Sequence, residues 1–110
     1  MGLDITLKCA HCGASNYDCN ITHNLNTMAD KAGTGLYIPL WYPEKLNIKY
    51  AKDLILILKA GLKDLKARPK YFKQFDDPDS WGTYEQFVPF VEEYLEACKK
   101  YPDSIIEISR

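Results

Sequence analysis

The sequence predicts an α+β domain in which a small sheet, made of the N- and C-terminal strands, packs against three helices with a long helix at the centre. Three observations carry this. Apolar residues alternate at both ends of the chain, they recur at helical spacing in between, and the 110 residues suit one domain and are too few for two. By surface scaling such a chain buries roughly 65% of what its unfolded form exposes, enough for a single core across residues 1–110.

Leu3, Ile5 and Leu7 alternate with Asp4, Thr6 and Lys8, the period-two pattern of a half-buried strand. Ser104 to Ser109 is a second short run, rich in isoleucine, after the turn Pro102-Asp103. Two strands alone make a marginal sheet, so both must lean on the helices.

The first helix is expected from about Asn20 to Ala32, with Ile21, Leu25, Met28 and Ala32 on one stripe and Gly33 as its stop. The second is expected after Asn47, a good N-cap, running to Arg68 before Pro69. Ile48, Ala51, Ile55, Leu58, Leu62 and Leu65 form its stripe, and Leu62 is expected deep in the core. Leu56 and Ile57 lie off that stripe, which predicts neighbours on more than one side and hence a central position. Thr83 and Gln86 have the spacing of a capping box and open the third helix. Its apolar face is Tyr84, Phe87, Val91, Tyr94, Leu95 and Cys98, and Pro89 sits nearly opposite, where it bends the helix without entering the core. The connection 33–45 carries Tyr37, Trp41 and Tyr42, aromatics expected over the core edge or on a contact surface.

A net charge of -1, with both signs interspersed, argues against nucleic-acid binding and against docking on anionic membranes. There is no signal-like start, and the longest apolar run, Leu54 to Leu58, is far short of a membrane span. The expected setting is cytoplasmic and reducing, so cysteines are read as thiols or metal ligands.

Cys9-Ala10-His11-Cys12-Gly13 follows a strand directly, and two thiolates spaced by two residues can chelate one metal, usually zinc. Gly13 suits the fold-back after the second ligand. Such a pair is half a tetrahedral site. Cys19 and His23, spaced for one helical turn, are the candidates for the other half, giving Cys9, Cys12, Cys19 and His23 as zinc ligands. Reduced inert thiols, a redox pair and disulfides remain alternatives, and Cys98 is read as core packing.

A second signal is the back of the first helix, where Asn20, His23, Asn24 and Thr27 stand in place of the usual lysines and glutamates. Poor helix formers with directional hydrogen bonds suit a wall for a polar ligand, as well as a face satisfied by neighbouring loops. If His23 is not a metal ligand, this face is expected to line a concave polar pocket under an aromatic lid of Trp41 and Tyr42, or Trp81, fit for a planar, nucleotide-like ligand. Catalysis has little support, since there is no glycine-rich phosphate loop, nucleophile elbow or His-Glu-x-x-His. Glu85, Glu92, Glu93 and Glu96 read as solvent-facing charges.

The opening Met1-Gly2-Leu3-Asp4-Ile5, the run Asn20-Ile21-Thr22-His23-Asn24-Leu25, the stretch Trp81-Gly82-Thr83-Tyr84-Glu85 and the isoleucine-rich tail ending at Arg110 resemble small bacteriophage and prophage proteins with no established activity. The resemblance implies a bacterial host cytosol and carries over no functional residue. By analogy it suggests a phage accessory factor that captures a host protein, such as a defence component, or a small signalling nucleotide. Three function classes follow: a non-enzymatic binding protein, a zinc-stabilised interaction module, and, with the least support, a small hydrolase or transferase.

Overall fold

Strict alternation of apolar and polar residues puts every second side chain on one face, and strand β1, Gly2–Lys8, does this with Leu3, Ile5 and Leu7 fully buried. The computed structural model describes residues 2–33 and 35–110, so Met1 of the opening motif lies outside the described residues. β1 is the middle strand of a three-stranded antiparallel sheet in the order β2-β1-β3, with β2 at Ser15–Thr22 and β3 at Ile105–Ser109. In this register Ile5 stands opposite Cys19 and Ile108, Leu7 opposite Tyr17 and Ile106, and Leu3 opposite Ile21. One face is therefore continuously apolar. The other is polar and laced together: Asn20 Nδ2 donates to Asp4 Oδ1 (2.6 Å), Thr6 Oγ1 donates to Asp18 Oδ1 (2.7 Å), and Lys8 pairs with Glu107 (2.7 Å).

The expected terminal strands thus share a sheet, and a third strand stands where the first helix was expected to begin. Residues 20–22 are the end of β2. A turn of 3-10 helix, His23–Leu25, leads into a short helix α1, Asn26–Lys31, which buries Met28 and Ala29. The segment expected to be irregular contains helix α2, Tyr37–Trp41, followed by a 3-10 turn at Pro43–Leu46.

The second long helix is also shorter than expected. Asn47 has φ 58° and closes the 3-10 turn before it, so it does not cap a helix. A further 3-10 turn, Ala51–Leu54, precedes α3 at Ile55–Ala67; Pro69 then opens α4, Pro69–Lys73. The buried line of this region runs through Leu54, Leu58, Gly61 and Leu65. Leu62 is only half-buried and Leu56 is 78% exposed, so α3 turns one side to solvent and Leu62 is not at the centre of its buried stripe. The close approach of Gly33 and Leu36 explains Gly61: a Cβ there would fall 2.6 Å from Leu36 side-chain carbons. Gly33, at φ 60°, donates its N–H to Asp64 Oδ2 (2.8 Å) beside it.

The longest helix is α5, Tyr84–Lys100, of 17 residues. Its capping box forms as expected, with Thr83 N–H donating to Gln86 Oε1 (3.0 Å), and Pro89 is exposed. Phe87, Phe90, Val91, Tyr94, Leu95, Ala97 and Cys98 are its buried side, and Tyr94 stacks on Tyr17 of β2. The core lies between this face, the apolar face of the sheet, and α3. Among the described residues, no helix is long and apolar enough to cross a membrane.

Candidate functional site

The cysteine knuckle forms at the tip of the β1–β2 hairpin. Cys12 N–H donates to Cys9 Sγ (3.4 Å), and Gly13, at φ 74°, donates its N–H to the Cys9 carbonyl (2.9 Å). The Cys12 thiol, with the backbone N–H groups of Cys12 and His11, holds the Cys9 thiol below its ordinary value.

The other two expected zinc ligands are elsewhere. Cys19 sits on β2 opposite Ile5, four residues along β1 from Cys9, or about 13 Å at the rise of a strand. It belongs to the apolar face that meets α5, and burial pushes its thiol up to about 12. Cys98 is buried on α5 as expected, and burial pushes it likewise to about 12. His23 lies past the far end of β2, where its Nδ1 accepts the indole N–H of Trp41 (2.8 Å). The helical spacing assumed for Cys19 and His23 does not exist, because the chain there is a strand followed by a 3-10 turn. The expected four-ligand set is therefore not assembled within one chain. Among the described residues, no group of three or more Cys, His, Asp or Glu is placed to hold a metal.

The expected amide-rich face divides for the same reason. Asn20 lies on the polar face of the sheet, bonded to Asp4. His23 is half-buried against Trp41, and Asn24 is exposed on the 3-10 turn. Thr27 alone of the four lines the cleft between α1 and α2. Trp41 cannot serve as a lid: it is 1% exposed, and its indole N–H, buried with it, needs the partner His23 supplies. Tyr42 is half-buried, between Lys45 Nζ (4.5 Å from its ring) and the Arg110 guanidinium (4.3 Å). Trp81 is 69% exposed and borders a separate hollow of about 250 Å³ with Ile21, Thr22, Ser80 and Gln86.

A cleft of about 450 Å³ between α1 and α2 is lined by Asn26, Thr27, Asp30, Lys31 and Tyr37. The first four are neighbours on one face of α1, since residues three and four apart meet on a helix. Together they offer an amide, a hydroxyl and both signs of charge. Tyr37 opens α2 and faces them; its ring tilts 36° on Trp41 at 5.4 Å and meets Tyr42 edge-on at 5.8 Å. Trp41 is fixed in turn by His23, so the aromatic wall is held from behind. Burial, together with the neighbouring Tyr42, pushes the Tyr37 phenol up. Of the five lining residues only Thr27 was expected; Asn26, Asp30, Lys31 and Tyr37 stand outside the expected set. Asn26 follows directly from the Asn24-Leu25 run, and its signal was there to be read; Tyr37 faces the cleft only because α2 folds back on α1.

Two other hollows differ in character. One, of about 370 Å³ between α3 and α5, has Leu62 and Leu95 ringed by Lys59, Lys63, Lys66 and Lys99. The other, of about 320 Å³, is largely apolar, with Ile38, Pro39, Leu46 and Ile57 in its wall. The α1–α2 cleft differs from both in setting converging polar groups beside an aromatic wall, and among the described residues its lining includes no nucleophile–base pair of the kind acyl or phosphoryl transfer needs. No protein-family model, curated protein or solved structure matches this chain.

Proposed function

We propose that this chain is a non-enzymatic binding protein and that the α1–α2 cleft is its ligand site, taking a small planar polar molecule of nucleotide type. The observation that carries this reading is the pairing of Tyr37 with the polar face of α1. A planar ring stacks on Tyr37, whose own position is braced by Trp41 and Tyr42. Asn26 and Thr27 supply directional hydrogen bonds, Asp30 accepts from ring or sugar donors, and Lys31 meets an anionic group. A cleft of about 450 Å³ is within the usual size for one small ligand. In the phage setting suggested by the resemblance, such capture would withhold a signalling nucleotide from the host.

The test is a titration with AMP, GMP, CMP and UMP followed by amide NMR. At least one should perturb Asn26, Thr27, Lys31 and Tyr37 together. Asn26→Ala and Tyr37→Ala should each weaken binding roughly ten- to a hundredfold, about 1–3 kcal/mol, with melting checked in parallel. Shifts that are absent at millimolar nucleotide, or scattered away from α1 and α2, would sink the reading.

A further inference from the structure

The hairpin tip carries half of a metal site in the right local shape. Cys12 N–H already points at Cys9 Sγ (3.4 Å), and the left-handed Gly13 turns the chain back immediately after the second cysteine. This places two sulfurs on one small loop with a backbone donor facing the first of them, which is how such loops share the charge of a bound ion. Among the described residues, no third Cys, His, Asp or Glu is placed to complete the site: Cys19 and Cys98 are committed to the packing between sheet and α5, and His23 is bonded to Trp41 at the far end of β2. Two thiolates leave a tetrahedral ion two ligands short.

We propose that the missing half comes from a second copy of this chain, so that one zinc ion, held by Cys9 and Cys12 of both copies, ties two hairpin tips together. Residues 10–15 are all exposed, so the tips can meet without displacing a packed side chain. The arrangement is self-complementary, as a two-fold contact requires, because each copy offers the same pair. Binding releases the thiol protons and leaves a net charge of about -2 on the ion and its four thiolates. Lys100 and Asp103 stand with Cys9 and His11 around the same hollow, of about 270 Å³, so one charge of each sign lies beside Cys9. The bulk of each molecule stays clear, since the α1–α2 cleft involves none of these residues.

The experiment uses the full chain purified in reductant, loaded with zinc alone, and sized by light scattering with and without a strong chelator. The expected result is about one zinc per two chains, a dimer with zinc and a monomer after chelation. Cobalt substitution should give the intense visible bands and sulfur charge transfer of a tetrahedral four-thiolate ion. Cys12→Ser and Cys9→Ser should lose both metal and dimer while melting as folded proteins; His11→Ala and Cys19→Ser should keep both. One zinc per chain in a monomer, a dimer that survives Cys12→Ser, no zinc uptake by reduced protein, or a Cys9–Cys12 disulfide persisting in reductant would each overturn the proposal. Nucleotide titration of Cys12→Ser separates this outcome from that of the cleft, whose binding should be unchanged.

Discussion

Tyr94 brings a hydroxyl into the core that, among the described residues, has no hydrogen-bond partner. Its ring is well placed, stacked on Tyr17 at 6.3 Å and beside Phe90 at 6.3 Å, and burial pushes its phenol well above the ordinary value, so the group stays neutral. An unpaired buried hydroxyl costs about 1–3 kcal/mol, whereas the ring alone keeps the packing. Tyr94→Phe is therefore expected to raise stability by about 1 kcal/mol in denaturant unfolding. A destabilised variant would mean the hydroxyl has a partner such as an ordered water. Trp41 is the contrasting case, equally buried but with His23 as acceptor. Periodicity marked Tyr94 as a core residue directly. Whether a buried aromatic's polar atom is paired depends on residues remote in sequence, such as positions 41 and 23, and no local pattern reports it.

At the scale of elements, legibility followed the number of faces each element buries. Helix α5 has one buried side and a capping box, and it formed as read. Strand β2 alternates too, through Tyr17, Cys19 and Ile21, but Ile21 also begins a plausible helical stripe with Leu25 and Met28. Pairing with β1 decides the conflict, because it satisfies the backbone of residues 15–22 and covers Leu3, Ile5 and Leu7 at their edge. Missing β2 misplaced half of the expected zinc set, Cys19 and His23, and most of the expected amide face. In α3 the error was one of phase: the true stripe passes through Gly61, a residue with no side chain to count, and shifts the axis away from Leu62. This gives a paired expectation. Leu58→Ala, at a site with no exposure, should lower stability by about 2–5 kcal/mol, while Leu56→Glu should change it by less than about 0.5 kcal/mol. Thermal and denaturant melts of both variants check it; a comparable loss from Leu56→Glu would mean that this face is covered in solution.

For the molecule as a whole, the two ends of the chain close one sheet around β1, and that closure is what makes a short hairpin stable. β3 sets Ile108 against Ile5 and Ile106 against Leu7, both toward α5. Its other edge is occupied as well: Ile106 N–H donates to the Lys49 carbonyl (2.9 Å), and Tyr50 bridges to Ile105. Just before it, the Ser104 carbonyl accepts Ala51 N–H (3.0 Å) and the Ser104 hydroxyl accepts Asn16 Nδ2–H (2.9 Å); just after it, Arg110 Nη1 donates to the Trp41 carbonyl (2.9 Å) and to Glu44 Oε1 (2.8 Å). Without β3, the β1–β2 pair is a two-stranded hairpin, marginal in water, and the backbone of residues 49–51 loses its partners. A chain ending at residue 104 is therefore expected to show no cooperative thermal transition by circular dichroism and no buried-tryptophan fluorescence from Trp41. Arg110→Ala removes the ion pair with Glu44, the bond to the Trp41 carbonyl and the contact with the Tyr42 ring, at a side chain 40% exposed, and should cost about 1–2 kcal/mol. If the shortened chain melts cooperatively within a few degrees of the full one, the sheet does not need its third strand, and stability resides in the hairpin seated on α5.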